Sequence, residues 1–336
     1  MLLTRRRLLA LGVSSLLASA CGSSAKAQSG VLIDERPVYG AAPPPPGQPA
    51  QVVKQPPTPP QRPLTTPAAT PRPIERVDDK TLQRELDAFL REQPGAYGVA
   101  IRDLTGPVEA AFYAQDRFPL GSLFKLPLMA EVMRQARDGR LSLRTQVQTL
   151  PDYSFGEPQG GIPPASQVTV EQALAAMISV SSNAAALALT QLVGPGELEA
   201  APKRLGMANT VIDVNTVGGP GRYSIDARGD ANDIVGLMVK LDREQLVGPE
   251  QDRKMIDLML NQKISDRIPV LLPPEVPIAH KTADLDSNTH DAGIVYLAGR
   301  PYAIAILAQG LNLTDGKMIA AEVSRIAFAY FNARRG

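Results

Sequence analysis

The 336-residue chain contains no tryptophan and only one cysteine, and aromatic residues make up 4% of it. A single cysteine cannot form an intramolecular disulfide, so the fold must be stable without one. The scarcity of aromatic residues leaves no stacking platform for a glycan strand. The chain has two histidines, and these with one cysteine fall short of the usual zinc ligand set. We therefore expect no metal ion and no other cofactor.

An excess of charge of one sign is also missing, because 35 Lys and Arg residues face 34 Asp and Glu residues for a net charge of +1. A nucleic-acid-binding protein is expected to carry a basic patch or run, so nucleic acid is not an expected partner. No apolar run approaches the roughly 20 residues of a membrane-spanning helix. Small molecules are the expected ligands, and we expect a monomer.

The single cysteine follows an N-terminal segment that is typical of an export signal. Arginines at positions 5–7 precede an apolar run over residues 8–18, which is the charge order and length of a signal peptide. The arginines are similar to a twin-arginine signal, and Leu17-Ala18-Ser19-Ala20-Cys21 resembles a bacterial lipobox. We therefore expect residues 1–20 to be removed and Cys21 to be lipidated.

This processing predicts an exported protein in the periplasm or at the cell surface, attached to the membrane through a lipid anchor on Cys21. The alternative is cleavage at the A-x-A site formed by residues 25–27, which would release a soluble protein. Either route predicts that the protein works outside the cytoplasm.

Residues 21–76 are predicted to be a disordered linker. Residues 28–74 hold 14 of the 31 prolines, and such a segment has too little apolar surface to offset the entropy of ordering. A spacer that holds the folded domain away from the membrane is the favoured interpretation. A docking segment for a proline-binding partner is the alternative.

The most informative stretch is Ser122 followed by Lys125 at the start of an apolar helix. Positions i and i+3 share a helix face, so the Lys125 amine can reach the Ser122 hydroxyl. A serine becomes a nucleophile when a base takes its proton, and a buried amine beside a second cation can be that base. A helix N-terminus also favours a developing oxyanion. The alternative is that Ser122 only caps the helix and Lys125 is solvated.

Periodicity and turn residues predict the remaining elements. The predicted helices are 79–92, 122–137, 170–178, an Ala/Leu-rich helix ending at 194, 196–205, 227–241, 250–260 and 315–332. The predicted strands are 97–104, 108–114, 276–283, 292–298 and 302–308, and residues 209–226 are predicted to be a long loop.

Strands at both ends of this region predict one antiparallel sheet built from both termini, with a helical region inserted between them. We place the catalytic domain at 77–336. Residues 77–120 and 276–336 form its α/β part, and residues 121–275 form its helical part. A cleft between the two parts is the natural position for a site.

Three short motifs in this domain resemble those of a known family. Ser122-x-x-Lys125, Ser181-Ser182-Asn183 and Lys281-Thr282-Ala283 are similar to the S-x-x-K, S-D-N and K-T-G series of class A β-lactamases and penicillin-binding proteins. The resemblance covers about residues 80–336. It implies an α+β fold of the β-lactamase/DD-peptidase type, with an antiparallel five-stranded sheet, flanking helices and an inserted all-helical region.

The resemblance implies a role for each matched residue in acylation. Ser122 would be the acylated nucleophile, and Lys125 would accept its proton. Ser181 would pass a proton to the leaving nitrogen. The backbone N–H groups of Ser122 and Asp284 would form the oxyanion hole.

The same resemblance implies the residues that bind substrate, which would be a β-lactam or a peptide derived from peptidoglycan. Asn183 would hold the side-chain amide of the substrate. Lys281 and Thr282, with Ala283 beside them, would bind its carboxylate. Two lysines in one pocket disfavour each other's charge, which leaves one as a base and the other as a cation.

Three departures from the family pattern affect the expected activity. Ser182 replaces an acid that is mostly structural in the family, and Ala283 replaces a glycine, so its methyl group can narrow the site. The loop over 213–226 contains no glutamate, whereas class A enzymes use a glutamate there to activate the deacylating water. Asp213 and Asp226 are not obvious replacements. Because lost general-base help costs about 10²–10⁴-fold, we expect acylation to outpace turnover.

Other functions remain open from the sequence. Within the family, the alternatives to β-lactam hydrolysis are D-Ala-D-Ala peptidase or transpeptidase action and esterase action, and outside enzymes the alternative is a binding module of the cell envelope. A Ser-His-Asp triad with His280 or His290 is a further alternative. His280 adjoins Lys281 on a strand, so only one of those two side chains can face the cleft.

Overall fold

A computed structural model of the chain describes residues 80–152 and 156–334. The predicted signal peptide, the lipidation site at Cys21 and the whole predicted linker over residues 21–76 lie outside these residues. No helix in the two described ranges is both long and apolar enough to cross a membrane.

The described residues form eight α-helices and ten strands. The helices are α1 (Thr81–Leu90), α2 (Lys125–Arg137), α3 (Val170–Ser179), α4 (Asn183–Val193), α5 (Pro195–Leu205), α6 (Ala231–Asp242), α7 (Pro249–Leu260) and α8 (Leu313–Asn332). The strands are β1 (Ala96–Asp103), β2 (Glu109–Phe112), β3 (Phe118–Pro119), β4 (Gln146–Gln148), β5 (Gln167–Thr169), β6 (Val211–Thr216), β7 (Tyr223–Gly229), β8 (Ile278–Leu285), β9 (Asn288–Val295) and β10 (Tyr302–Gln309). A 3₁₀ turn over Gly121–Phe124 leads into α2.

The main sheet has five antiparallel strands in the order β2-β1-β10-β9-β8. Strands from the two ends of the domain meet in its middle, where Val99 pairs with Ile306, and Lys281 on the edge strand β8 pairs with Ala292. The predicted fold class, an antiparallel five-stranded sheet built from both termini with helices around it, is confirmed.

The sheet separates two hydrophobic cores because its side chains alternate between faces. Val99, Ile101 and Ile304 pack in the core that contains α1 and α8. Ala292 and Ala305 point to the other core, which contains the helices between β3 and β8. These small side chains let α6 pack closely against the sheet, so the helical region is held firmly beside β8.

The prediction of a long loop over 209–226 is wrong, because that segment forms the hairpin β6–β7. Ile212 and Ile225 are buried while their neighbours along each strand are more exposed, which is the period-two pattern of a half-buried strand. The glycine-rich residues 218–221 are the turn. Residues 227–229 therefore belong to β7, and α6 begins later than predicted, after Asp230 accepts a hydrogen bond from Asp233 N at 2.8 Å.

Candidate active site

Ser122 lies within the 3₁₀ turn rather than at a helix cap. The preceding Gly121 has a φ of 48°, a conformation that strains residues with a side chain. A Cβ there would also come 3.1 Å from Leu285 Cγ. Ser122 is half-buried, and its Oγ makes no hydrogen bond to the residues that the structure describes. The glycine thus lets the turn present the hydroxyl close to strand β8.

Two strands hold the chain just before this turn. Leu120 N donates to Ala227 O at 2.7 Å, and His290 Nε2 donates to Pro119 O at 2.8 Å. Because Ala308 N donates to His290 Nδ1 at 3.1 Å, both ring nitrogens are engaged. Burial lowers the pKa of His290 to about 4, so the ring is neutral near pH 7.

Lys125 is completely buried and connects the first motif to the second. Its Nζ lies 2.7 Å from Ser181 O, 3.1 Å from Ser181 Oγ and 2.7 Å from Asn183 Oδ1. The expected direct hydrogen bond to Ser122 is not made among the described residues. Catalytic hydrogen bonds are often incomplete without a substrate.

Lys281 brings the third motif to the same hydroxyl. It is also completely buried, and its Nζ lies 3.0 Å from Ser181 Oγ and 2.7 Å from Thr282 O. The Ser181 hydroxyl therefore lies between two amines. The backbone φ of Ser181 is 63°, an uncommon value for a serine. Such a conformation is typical of a residue that its contacts hold in place.

Burial lowers the pKa values of both amines, and the charge of Lys281 lowers that of Lys125 further. Burial, and then the charge of Lys281, lower the pKa of Lys125 well below its usual value, while the charge of Glu157 opposes this shift. Burial lowers the pKa of Lys281 to about 7, with Asp291 opposing. Lys125 is thus suited to be a neutral base, and Lys281 can carry a positive charge at and below neutral pH.

A residue that the sequence analysis missed, Glu157, holds the second motif. Its Oε1 accepts hydrogen bonds from Ser182 Oγ and from Ile162 N at 2.9 Å. Its Oε2 accepts from Asn183 N at 2.9 Å and from Ala184 N at 2.8 Å. The signal that could have revealed it was the serine in place of the motif's acid, since a carboxylate is favourable at the first turn of a helix and the motif itself does not supply one.

The third motif lies on β8, the edge strand of the sheet, which packs beside the 3₁₀ turn. An edge strand keeps backbone groups free for a ligand, and Asp284 N–H is on this strand. The Ala283 methyl is buried, and a Cβ on Gly121 would be 3.5 Å from it. Ala283 therefore packs beside the glycine of the turn that carries Ser122, and a narrowing of the site by its methyl group stays a prediction.

Arg267, also missed by the sequence analysis, lies fully buried behind this strand. Its Nε donates to Thr289 Oγ1 at 2.7 Å, and it forms ion pairs with Asp284 and, at 2.9 Å, with Asp266. Burial raises the pKa of Asp284, but Arg267 more than offsets this and holds it below its usual value. Arg267 lies in a segment without periodicity, so no local pattern marked it.

Neither histidine forms a triad with Ser122. His280 Nδ1 pairs with the buried Asp291 at 2.9 Å, and the adjacent Lys281 side chain points to the opposite face of β8. His290 is occupied on both nitrogens, as described above. The structure therefore does not support the Ser-His-Asp alternative.

The hairpin β6–β7 contains residues 213–226, the segment that the sequence analysis compared with the family's glutamate-bearing loop. Asp213 and Asp226 are cross-strand partners in it, and Arg228 Nε lies 3.7 Å from Asp226 Oδ2. Asp213 is exposed. Nothing in this geometry directs either carboxylate to the Ser122 turn.

A five-stranded antiparallel sheet between helical layers, with a serine on a 3₁₀ turn and two buried lysines meeting at a second serine, defines an α+β protein of the β-lactamase and penicillin-binding type. Residues 81–331 match the sequence model of the Beta-lactamase enzyme family, and the chain belongs to that family, whose members are hydrolases.

A Streptomyces lavendulae β-lactamase is 30% identical over 245 residues, covering 67% of this chain and 77% of the relative. Two solved structures share the fold. A Chitinophaga pinensis β-lactamase has a TM-score of 0.67 and 22% identity, and the match covers 75% of this chain and 99% of that one. A PBP-A mutant, solved as an acyl-enzyme complex with penicillin G, has a TM-score of 0.66 and 23% identity, with 75% and 96% covered.

Proposed function

We propose that the protein is a serine hydrolase that opens a β-lactam, or a related cyclic or peptide amide, through an acyl-Ser122 intermediate that deacylates slowly. The observation that carries this proposal is the position of Ser181 Oγ, 3.1 Å from Lys125 Nζ and 3.0 Å from Lys281 Nζ. A hydroxyl between two amines of lowered pKa can accept a proton on one side and donate one on the other.

The contacts of Lys125 suggest the order of proton transfers in acylation. Ser181 O and Asn183 Oδ1 can only accept, so they take both N–H groups of a neutral amine, and its lone pair then faces Ser181 Oγ. A bound substrate whose nitrogen accepts the hydrogen bond of Ser181 Oγ–H frees this lone pair for the proton of Ser122. Ser122 Oγ then attacks the carbonyl carbon and gives its proton to Lys125. The C–N bond breaks as Ser181 gives its proton to the leaving nitrogen and Lys125 returns one to Ser181.

Substrate binding follows from charge. Lys281, with a pKa of about 7, supplies a cation for the carboxylate that β-lactams and cell-wall peptides carry. Edge strand β8 supplies Asp284 N–H, which with Ser122 N–H stabilises the oxyanion. The acyl-enzyme of the PBP-A mutant with penicillin G makes a penicillin a suitable first probe.

Slow deacylation is proposed because, among the described residues, neither Glu157 nor a glutamate of the hairpin β6–β7 is available to activate water near the Ser122 turn. All four acceptor positions of Glu157 are taken by donors of its own chain, and the hairpin β6–β7 has no glutamate. Losing a general base costs about 10²–10⁴-fold in rate. A D-Ala-D-Ala peptidase or esterase would use the same acylation groups and is the second candidate.

Intact-mass spectrometry with benzylpenicillin, followed from seconds to hours, tests the proposal on the full chain. A mass increase by one intact penicillin that persists, and that the Ser122→Ala variant lacks, is the expected result. A transient increase with consumption of the drug would show efficient turnover by an unidentified base. No increase would overturn β-lactam acylation and favour another ester or peptide substrate or a binding module. A persistent increase is shared with a penicillin-binding peptidase, which hydrolysis of D-Ala-D-Ala peptides would then distinguish.

A further inference from the structure

The second motif lacks its acid, yet a carboxylate is present at the place where that acid would act. Ser182 is the N-cap of α4, and its Oγ accepts from Ala185 N at 3.1 Å while donating to Glu157. Asn183 N and Ala184 N, which belong to the unpaired donors of the first helical turn, both donate to Glu157 Oε2. The Glu157 carboxylate thus binds these N–H groups and balances the partial positive charge at the N-terminus of α4.

The surrounding loop is shaped around this carboxylate. A Cβ on Gly161 would lie 2.1 Å from Glu157 Oε1, so glycine is required for Glu157 to reach α4. Ile162 N completes the acceptor set, and Asn183 Nδ2 donates to Gly156 O at 2.9 Å. Residues 156–162 therefore form a closed unit with the second motif.

We propose that Glu157 is a positioning residue, which supplies from residues 156–162 the carboxylate that the second motif lacks and so holds Asn183 and Ser181 against Lys125. This inference rests on the proposed acyl-Ser122 function. Asn183 is the link, because its backbone N–H is held by Glu157 while its Oδ1 accepts from Lys125 at 2.7 Å. A shift of Asn183 therefore reaches the base directly.

The negative charge of Glu157 has a second consequence, because it acts on the pKa of Lys125. The charged groups that act on Lys125 are Lys281, from β8, and Glu157, from the loop, and they act in opposite directions on its pKa. Removing the negative charge of Glu157 lowers the pKa of Lys125 further. Since acylation needs neutral Lys125, its rate rises with pH through this pKa, and the rising limb should move to lower pH in Glu157→Gln.

The experiment measures the second-order rate constant of acylation by benzylpenicillin across pH, using mass spectrometry of the full chain. We expect Glu157→Gln to lower it about 10- to 100-fold on the plateau and to shift the rising limb to lower pH. The double variant Glu157→Gln/Ser182→Asp puts an acid back into the motif. It should restore most of the acylation rate and return the rise of that rate with pH to its wild-type position. The exposed Glu92→Gln, the same chemical change elsewhere, is the matched control and should leave both unchanged.

A second variant displaces the carboxylate without removing it. Gly161→Ala should also slow acylation, and combining it with Glu157→Gln should add little further loss, because both act through one carboxylate. Additive losses, or a Glu157→Gln rate within about threefold of wild type with an unshifted limb, would overturn the proposal.

Hydrogen exchange separates this proposal from the proposed function. The amides of Asn183 and Ala184 should exchange faster in Glu157→Gln than in wild type, whether or not penicillin reacts. If the wild type is not acylated, the proposed function fails. Unchanged exchange at these two amides would refute the role of Glu157 independently.

Discussion

Lowering the pH from 7 to 5 should destabilise the protein by about 2 kcal/mol through His290 alone. Its pKa is lowered by burial from 6.5 to about 4 in the folded chain. Between these values the unfolded chain binds a proton that the folded chain excludes, so stability is full above pH 6.5 and is lost as the pH falls toward 4. The full shift of about 2.5 units is worth about 3 kcal/mol, of which about 2 kcal/mol appears between pH 7 and pH 5.

The structure gives the reason for this exclusion. A second proton would go to His290 Nδ1, which accepts from Ala308 N at 3.1 Å. After protonation, Nδ1–H and Ala308 N–H would both be donors and would face each other inside the core. The Nε2–H group remains bound to Pro119 O at 2.8 Å. Protonation therefore breaks one hydrogen bond and buries a charge that forms no ion pair with the residues that the structure describes.

Urea unfolding at pH 7 and pH 5, followed by far-ultraviolet circular dichroism because the chain has no tryptophan, tests this prediction. His290→Gln keeps one donor and one acceptor but does not titrate. The variant should be less stable at pH 7, yet it should lose about 2 kcal/mol less than the wild type between pH 7 and pH 5. Equal losses in both proteins would show that His290 is not the source of the acid sensitivity.

Three further predictions concern other parts of the chain. Lys281→Met should reduce kcat/KM for an anionic β-lactam about 10- to 100-fold. Removing its charge should raise the pKa of Lys125, so the rise of the acylation rate with pH should move to higher pH. An unmoved rise in the pH–rate profile would contradict the coupling of the two amines. Gly121→Ala should lower the free energy of unfolding in urea by about 1–3 kcal/mol and abolish acylation, since φ is 48° at this position. A variant that is as stable as the wild type and fully acylated would contradict the geometry of the turn. Cys21→Ser should move the exported protein from the membrane fraction to the soluble fraction, and recovery of the wild type in the soluble fraction would favour cleavage after residue 27.

The sheet could be predicted because its strands are continuous apolar runs placed at both ends of the domain. The runs over 97–104 and 302–308 became β1 and β10, which pair with each other. The prediction for β9 began four residues too late, at residue 292. The strand begins at Asn288, and its first four residues are polar side chains that are nevertheless buried. A burial pattern that depends on hydrogen bonds to distant residues is not visible as hydrophobicity.

The site was predictable only where a motif kept its residues. The amines of Lys125 and Lys281 both approach the Ser181 hydroxyl, so the structure brings residues of all three motifs together, whereas the expected contact of Lys125 with Ser122 is not made among the described residues. Glu157 and Arg267 were missed since each acts on a residue that is remote in sequence, Glu157 on Asn183 and Arg267 on Asp284. Their roles depend on packing between elements, which a linear pattern does not record.

Under the proposed function, the two acids that the chain lacks, relative to the family pattern, are compensated unequally, and this asymmetry would favour acylation over turnover. The acid of the second motif is replaced in space by Glu157, whose carboxylate makes contact with the residues around the base. For the glutamate expected in the segment over 213–226, the described residues show no such replacement. The segment is a hairpin whose carboxylates, Asp213 and Asp226, lie across from each other on paired strands. Under the proposed function, the groups that form the acyl-enzyme are therefore supported and the group that would hydrolyse it is not. A long-lived acyl-enzyme follows from that imbalance rather than from a weakened nucleophile, so adding a carboxylate to the hairpin should raise deacylation without changing acylation.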